Sequence, residues 1–165
     1  MTLRLEPQAE HHAEGLFAAL QHPDIYPFLG SAPPASVDAV RQRIARQNRG
    51  PTDGSAARWL NWVILVDEVV AGYTQATIAE NGVANLAYVL APAYWGRSLA
   101  YEACRQTLIA LSKTDGVKTV IADTEKANLR SAALLARLGF RPVSETGTEV
   151  FYEAGDIQAF VSTLK

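Results

Sequence analysis

The chain has 165 residues, of which 48% are hydrophobic and 19% charged. That is enough apolar material for a buried core and too much for a disordered polymer. Lys and Arg number 15 against 17 Asp and Glu, a net charge of −2, which offers a nucleic-acid backbone no overall attraction and argues against a dedicated DNA-binding protein.

No basic segment leads into an apolar stretch at the start, and no apolar run is long enough to span a bilayer. The expectation is a cytoplasmic protein that makes no membrane contact. Cys104 is the only cysteine, so an internal disulfide and a cysteine-based zinc site are both ruled out.

In chain order, residues 2–6 alternate polar and apolar side chains and predict a strand with Leu3 and Leu5 on one side, closed by Pro7. Residues 9–21 place Ala13, Leu16, Phe17 and Leu20 on one helical stripe, and His22-Pro23-Asp24 ends that helix. Residues 23–34, rich in proline, predict an ordered loop, and Ser36 is an N-cap for a helix running to Asn48. After a loop over residues 48–55, residues 59–66 and 69–78 read as strands joined at Asp67-Glu68, and Asn81-Gly82 turns the chain into a third strand over residues 83–90. A helix over residues 96–113, a strand over 118–124, a helix over 128–138 stopped by Gly139, and strand-like composition over 141–151 complete the chain. The fold class is α/β (α+β): a single mixed, mostly antiparallel sheet flanked by helices, in one domain over residues 1–165.

The segment richest in chemistry is Asn-Leu-Ala-Tyr-Val-Leu-Ala-Pro-Ala-Tyr-Trp-Gly-Arg-Ser-Leu-Ala-Tyr-Glu-Ala at residues 85–103, where a strand ends at a proline and a short turn feeds a helix. The amides of Gly96, Arg97, Ser98, Leu99 and Ala100 can cradle a pyrophosphate at that helix N-terminus, and Arg97 can add a charge-assisted contact. The plainer alternative is an ordinary strand-turn-helix, because such phosphate turns usually carry more glycine.

This segment, with Asn-Leu-Arg-Ser-Ala-Ala-Leu-Leu-Ala-Arg-Leu-Gly-Phe at residues 128–140, resembles the two signature segments of the GNAT acetyltransferase superfamily. The closer likeness is to the Rim-type ribosomal-protein N-terminal acetyltransferases. The resemblance implies a GNAT-like acyl-CoA N-acyltransferase fold. It also implies an acetyl-CoA-dependent N-acetyltransferase in which an amine acceptor, a protein N-terminus or a small molecule, attacks the thioester directly within a ternary complex. It further implies that main-chain groups of Tyr88 and Leu90 pair with the pantetheine arm of acetyl-CoA by strand addition, and that Asn128 contacts the same arm. The phosphate turn of the family maps onto residues 95–100, from which Trp95 and Ser98 depart; serine lacks the freedom of glycine at positive φ, which bears on cofactor affinity.

Each residue also has a plainer reading. Asn128 can be an N-cap alone, and Leu134, Leu135 and Leu138 fall at core spacing. Many GNAT enzymes carry a tyrosine seven residues after the asparagine as proton donor to the departing thiolate, but Leu135 stands there. Ser131 and Tyr152 are the remaining donors, and Glu80, Glu145 and Glu149 the remaining bases. The Leu135 replacement, together with Asn85 where the resemblance to Rim-type enzymes implies a glutamate, supports an alternative from another class, a catalytically weak acyl-CoA-binding sensor or assembly module. Cys104 shares a helical face with Ala100, Leu108 and Leu111 and reads as a packed thiol. His11 and His12 are adjacent, so they diverge on a helix and make a poor metal pair. Arg41, Arg43, Arg46 and Arg49 read as a solvated basic edge or as a contact for an acidic partner, and Asp24, Tyr26 and Phe28 as lining for an acceptor pocket. Exposed strand edges near the C-terminus leave room for a homodimer.

Overall fold

The computed structural model describes residues 1–165. Its strands are β1 (Leu3–Pro7), β2 (Arg58–Val66), β3 (Val69–Ile78), β4 (Val83–Leu90), β5 (Thr119–Glu125), β6 (Arg141–Glu145) and β7 (Glu149–Asp156). They form one seven-stranded sheet in the order β1-β2-β3-β4-β5-β7-β6. Every pairing is antiparallel except β4 with β5. That single parallel junction is the topological consequence of a crossover helix between the two strands.

Helices α1 (Ala13–Ala19) and α2 (Val37–Arg49) cover one face, where Leu16, Leu20, Val40 and Ile44 pack on Val63 and Val89. Helices α3 (Leu99–Ser112), α4 (Leu129–Leu138) and α5 (Ile157–Ser162) cover the other, with Leu108, Leu111, Leu135 and Phe160 set against Ile78, Leu86 and Val120. Because side chains of a strand alternate between faces, β4 sends Leu86, Tyr88 and Leu90 toward α3 and α4, and Asn85, Ala87 and Val89 toward α1 and α2. One strand therefore supplies both walls of anything that opens beside it.

Most predicted elements lie within a few residues of their expected bounds, and the exceptions have local causes. The strand at the N-terminus runs through Pro7 instead of ending before it. β1 is an edge strand, and Gln8 N donates to Asn61 O (2.9 Å), so the nitrogen of Pro7 falls at the position that faces away from β2 and no ladder bond is lost. The helix expected over residues 9–21 begins instead as a 3-10 turn, Glu10–His12, because Ala9 N donates to His12 Nδ1 (2.9 Å) and tightens the entry. The helix expected from Gly96 starts at Leu99, since Gly96 (φ 73°) and Ser98 (φ 58°) are both left-handed. The C-terminal segment holds two strands, β6 and β7, and then α5, whose N-cap Asp156 accepts from Ala159 N (2.9 Å). Six residues are too few for a periodic signal in sequence.

Gly72 on β3 marks how closely the site strand is held: a Cβ there would sit 2.0 Å from the Val89 carbonyl oxygen. Only glycine lets β3 approach β4 at this point.

Candidate active site

β4 and β5 pair only at Val83, Ala84 and Asn85 with Thr119, Val120 and Ile121, although β4 runs on to Leu90 and β5 to Glu125. Beyond the last pair the strands part, and a cavity of about 800 Å³ occupies the opening. Ala79 N donates to Val83 O, and Ala91 N donates to Ala71 O. Odd-numbered residues of β4 are thus bonded to β3, and antiparallel alternation turns the backbone groups of Leu86, Tyr88 and Leu90 the other way, into the opening. The indole Nε1 of Trp95 donates to Leu90 O (2.7 Å), so the carbonyl of that residue is partly engaged while its amide is not.

The turn after Trp95 is a second region of free donors. No backbone N–H from Gly96 to Tyr101 has a protein acceptor, and the first helical bond is Glu102 N to Ser98 O (3.1 Å). Ser98 provides no side-chain cap, and a Cβ on Gly96 would meet nothing within 4 Å. Consecutive unpartnered amides at a helix N-terminus, bent by two left-handed residues, make this turn able to bind an anion. Cations surround it: Arg97 is exposed, Arg137 Nη1 donates to Ser98 Oγ (2.9 Å) and its guanidinium lies 4.3 Å from the Tyr101 ring centre, and Arg130 stacks 3.6 Å from the Trp95 ring centre.

Inside the opening, the Tyr88 hydroxyl and the Ser131 hydroxyl are 2.6 Å apart. Asn128 caps α4, its Oδ1 accepting from Ser131 N (3.2 Å), which fixes the turn that carries Ser131. Burial pushes the Tyr88 phenol above its ordinary value, offset in part by the Ser131 hydrogen bond. Desolvation likewise pushes the fully buried Cys104 thiol up, so it is a packed, neutral group and no nucleophile.

Tyr88, Leu90, Trp95, Asn128, Ser131 and Glu149 all line the cavity, whereas Gly96, Arg97, Ser98, Leu99 and Ala100 are outside its lining and form the turn after Trp95 and the first residues of α3. Tyr152 stands apart from these residues. It lines no part of the cavity but is 8% exposed within the core beside Leu135 and Phe140, because its register opposite Ala122 and Pro142 directs it inward. Glu145 is also outside, 3.5 Å from Lys126 Nζ, and Glu80 lies at the turn before β4. Leu135, at the tyrosine position of the family, is a wall residue 1% exposed.

Sequence reasoning missed Asp123, Glu125 and Arg130, which line the cavity as well. Asp123 and Glu125 are two apart on β5 and so share a face, and Glu125 stands directly opposite Glu149 of β7. The alternation was readable in sequence; the cross-strand partner was not. With Asp24 from the loop after α1, the lining holds Asp24, Asp123, Glu125 and Glu149 against one cation, Arg130.

The histidines also differ from expectation. The 3-10 turn brings both toward Glu6, with His12 Nε2 at 2.9 Å and His11 Nε2 at 3.5 Å from its Oε1. His12 uses its other nitrogen to accept from Ala9 N (2.9 Å), so both ring nitrogens of this buried imidazole are already engaged in holding β1 to the turn. These bonds, with Arg4, hold the Glu6 carboxyl below its usual range.

The family model of the Acetyltransferase (GNAT) domain matches residues 2–141. The chain belongs to the GNAT acetyltransferase family. It is an N-acetyltransferase, and acetyl-CoA is its acyl donor. Solved structures share the fold of this GNAT protein over almost its whole length. An aminoglycoside acetyltransferase AAC(6')-Ib in complex with coenzyme A superposes with a TM-score of 0.77 at 19% identity, covering 98% of this chain and 99% of that one. The RimL ribosomal L7/L12 alpha-N-protein acetyltransferase in complex with coenzyme A gives a TM-score of 0.82 at 15% identity, covering 95% and 96%. An acetyltransferase from Thermus thermophilus gives 0.71 at 22%, covering 94% and 97%. No helix of this GNAT acetyltransferase is long and apolar enough to cross a membrane.

Proposed function

We propose that this GNAT acetyltransferase acetylates a small cationic primary amine by direct attack on the thioester in a ternary complex. The observation that carries this reading is the excess of carboxylates, Asp24, Asp123, Glu125 and Glu149, in the cavity between β4 and β5. Like charges directly across a strand pair, as at Glu125 and Glu149, repel unless a cation is shared between them. An ammonium group is the ligand that relieves the repulsion and also brings a nitrogen to the acyl donor.

The backbone groups of Leu86 and Tyr88 and the amide of Leu90 are suited to hold the pantetheine arm by adding it as a strand. The amides of residues 96–101, with Arg97 beside them, are suited to the pyrophosphate, and Trp95, Arg130 and Arg137 to the remainder of the nucleotide face. Attack requires the ammonium to lose a proton, and Glu149, half-buried in the lining, accepts it. The departing thiolate requires a hydrogen-bond donor, and Tyr88, kept protonated by burial and oriented by Ser131, provides it. Asn128 positions Ser131 and leaves its amide group to the arm.

Residues 1–165 act as one domain in this reading. A cytoplasmic location suits the single buried thiol of Cys104, and the exposed edge of β6 is where a second copy would add to the sheet. The test is release of CoA thiol from acetyl-CoA across a panel of amines, after binding of acetyl-CoA has been measured by calorimetry. Turnover with cationic amines supports the proposal; saturable acetyl-CoA binding with no turnover of any amine overturns it in favour of a CoA-binding module.

A further inference from the structure

A second cavity of about 240 Å³ adjoins the first and shares Ile25, Leu29 and Val89 as a common wall. Its chemistry is the opposite. Arg43 and Arg46 line it together with the aromatic rings of Tyr26 and Tyr73, and no carboxylate is present. Neither arginine forms a salt bridge, whereas Arg41, two residues before Arg43 on α2, is 3.4 Å from Glu10. The Nε of Arg43 is fully buried without a hydrogen-bond partner, and its guanidinium lies 5.3 Å from the Tyr73 ring centre. A buried guanidinium donor without an acceptor costs stability. An arginine fork flanked by aromatic rings in an apolar pocket matches a carboxylate attached to a compact hydrophobic body.

We infer that this cavity, walled by Arg43, Arg46 and Tyr73, is a subsite for the carboxylate end of the acceptor. The substrate class is then an amphoteric one, an amine joined through an apolar spacer to a carboxylate. The two ends are sorted by charge: the amine goes to Asp123, Glu125 and Glu149, and the carboxylate lies past Ile25, Leu29 and Val89, which line both cavities, at the arginines. The loop over residues 23–34 contributes Ile25 and Leu29 to both cavities, so ordering it against one ligand serves both subsites. The inference rests on the acetyltransferase reading above and narrows its acceptor.

Two measurements separate the two claims. Calorimetric titration with 3-phenylpropionate, and with 3-phenylpropionamide as its neutral control, tests the anion cavity without turnover. Binding of the acid at least tenfold tighter than the amide, weakened at least tenfold by Arg43→Gln, is the expected result. Equal binding of acid and amide overturns the inference. Acetylation of 6-aminohexanoate against 6-aminohexanamide tests the assignment to the acceptor. The acid should have at least tenfold higher kcat/KM, carried mainly by KM, and the ratio should fall toward one in Arg43→Gln and in the more exposed Arg46→Gln. A preference that survives both substitutions, or no preference in a protein that does acetylate the amide, overturns it. Failure to acetylate either compound while acetyl-CoA binds counts against the acetyltransferase reading, and the 3-phenylpropionate titration still decides the cavity.

Discussion

The Tyr88 hydroxyl lies 2.6 Å from the Ser131 hydroxyl across 43 residues of sequence. The pair joins β4 to α4 at the opening between β4 and β5, and its environment sets its chemistry. Burial keeps the phenol neutral, so it remains a donor where a thiolate must be stabilised. Tyr88→Phe is expected to lower kcat by about 10²-fold, the lower range for loss of a positioned acid, while acetyl-CoA affinity, which uses the backbone of residue 88, changes little. Ser131→Ala should lower kcat by less and in the same direction. Stopped-flow measurement of thiol release together with calorimetric affinity checks the split between the two constants.

The upward shift of Tyr88 also has a pH consequence. A phenol with a raised pKa holds its proton beyond its ordinary value of about 10. The rate should therefore rise with pH as the amine is deprotonated and show no descending limb from Tyr88 below that pH. A profile of kcat from pH 6 to 10 in the wild-type protein is the measurement, and a clear alkaline fall that Tyr88→Phe removes would contradict the assignment.

At the turn after Trp95, Gly96 is left-handed and its Cβ direction is open. Gly96→Val puts a β-branched side chain into a left-handed conformation it adopts rarely, which disturbs the turn that presents the free amides. Affinity for acetyl-CoA should fall at least tenfold, whereas S-acetylpantetheine, which lacks the pyrophosphate, should bind the variant and the wild type alike. Equal losses for both ligands would mean that the turn does not read phosphate.

Glu125 and Glu149 oppose one another across β5 and β7, an arrangement that costs the fold what it offers the acceptor. Glu149→Gln should stabilise the protein by about 0.2–1 kcal/mol, the scale of a cross-strand pair. At the same time it should raise KM for a cationic amine several-fold and lower kcat. Thermal unfolding and steady-state kinetics on the same preparation test both signs.

Cys104 is fully buried, and its thiol is pushed up by desolvation. A raised acid is neutral in the fold while the unfolded chain ionises from about pH 8.5. Stability from this group is thus complete below that value and is lost as pH rises above it. Urea unfolding between pH 7 and 10 should show the decline, flattened in Cys104→Ala. The folded wild-type protein should resist alkylation by iodoacetamide and retain its acetylation rate.

Much of the architecture was legible because its signals are local. The β-branched and aromatic runs of β2 and β3, the Asn81-Gly82 turn, the Ser36 and Asn128 caps and the Gly139 stop each depend on neighbours within a few residues. The family and the acyl donor were indicated by the resemblance of the two motif segments, at residues 85–103 and 128–140. The rest depends on contacts between distant segments. Leu135 fills the expected tyrosine position, and only the folding of β4 beside α4 brings Tyr88 to Ser131. The short parallel ladder at Val83–Asn85, after which two strands part, is a property of the sheet and not of either strand. The register of β7 sends Tyr152 into the core and sets Glu149 opposite Glu125; a slip of one residue would exchange those faces. Sequence determined the longer elements, β1 to β5 and α1 to α4, and which cosubstrate the two motifs resemble a site for, because periodicity and caps are short-range. Tertiary structure decided which hydroxyls, carboxylates and arginines meet, because register and packing are settled only when the whole sheet closes on its helices.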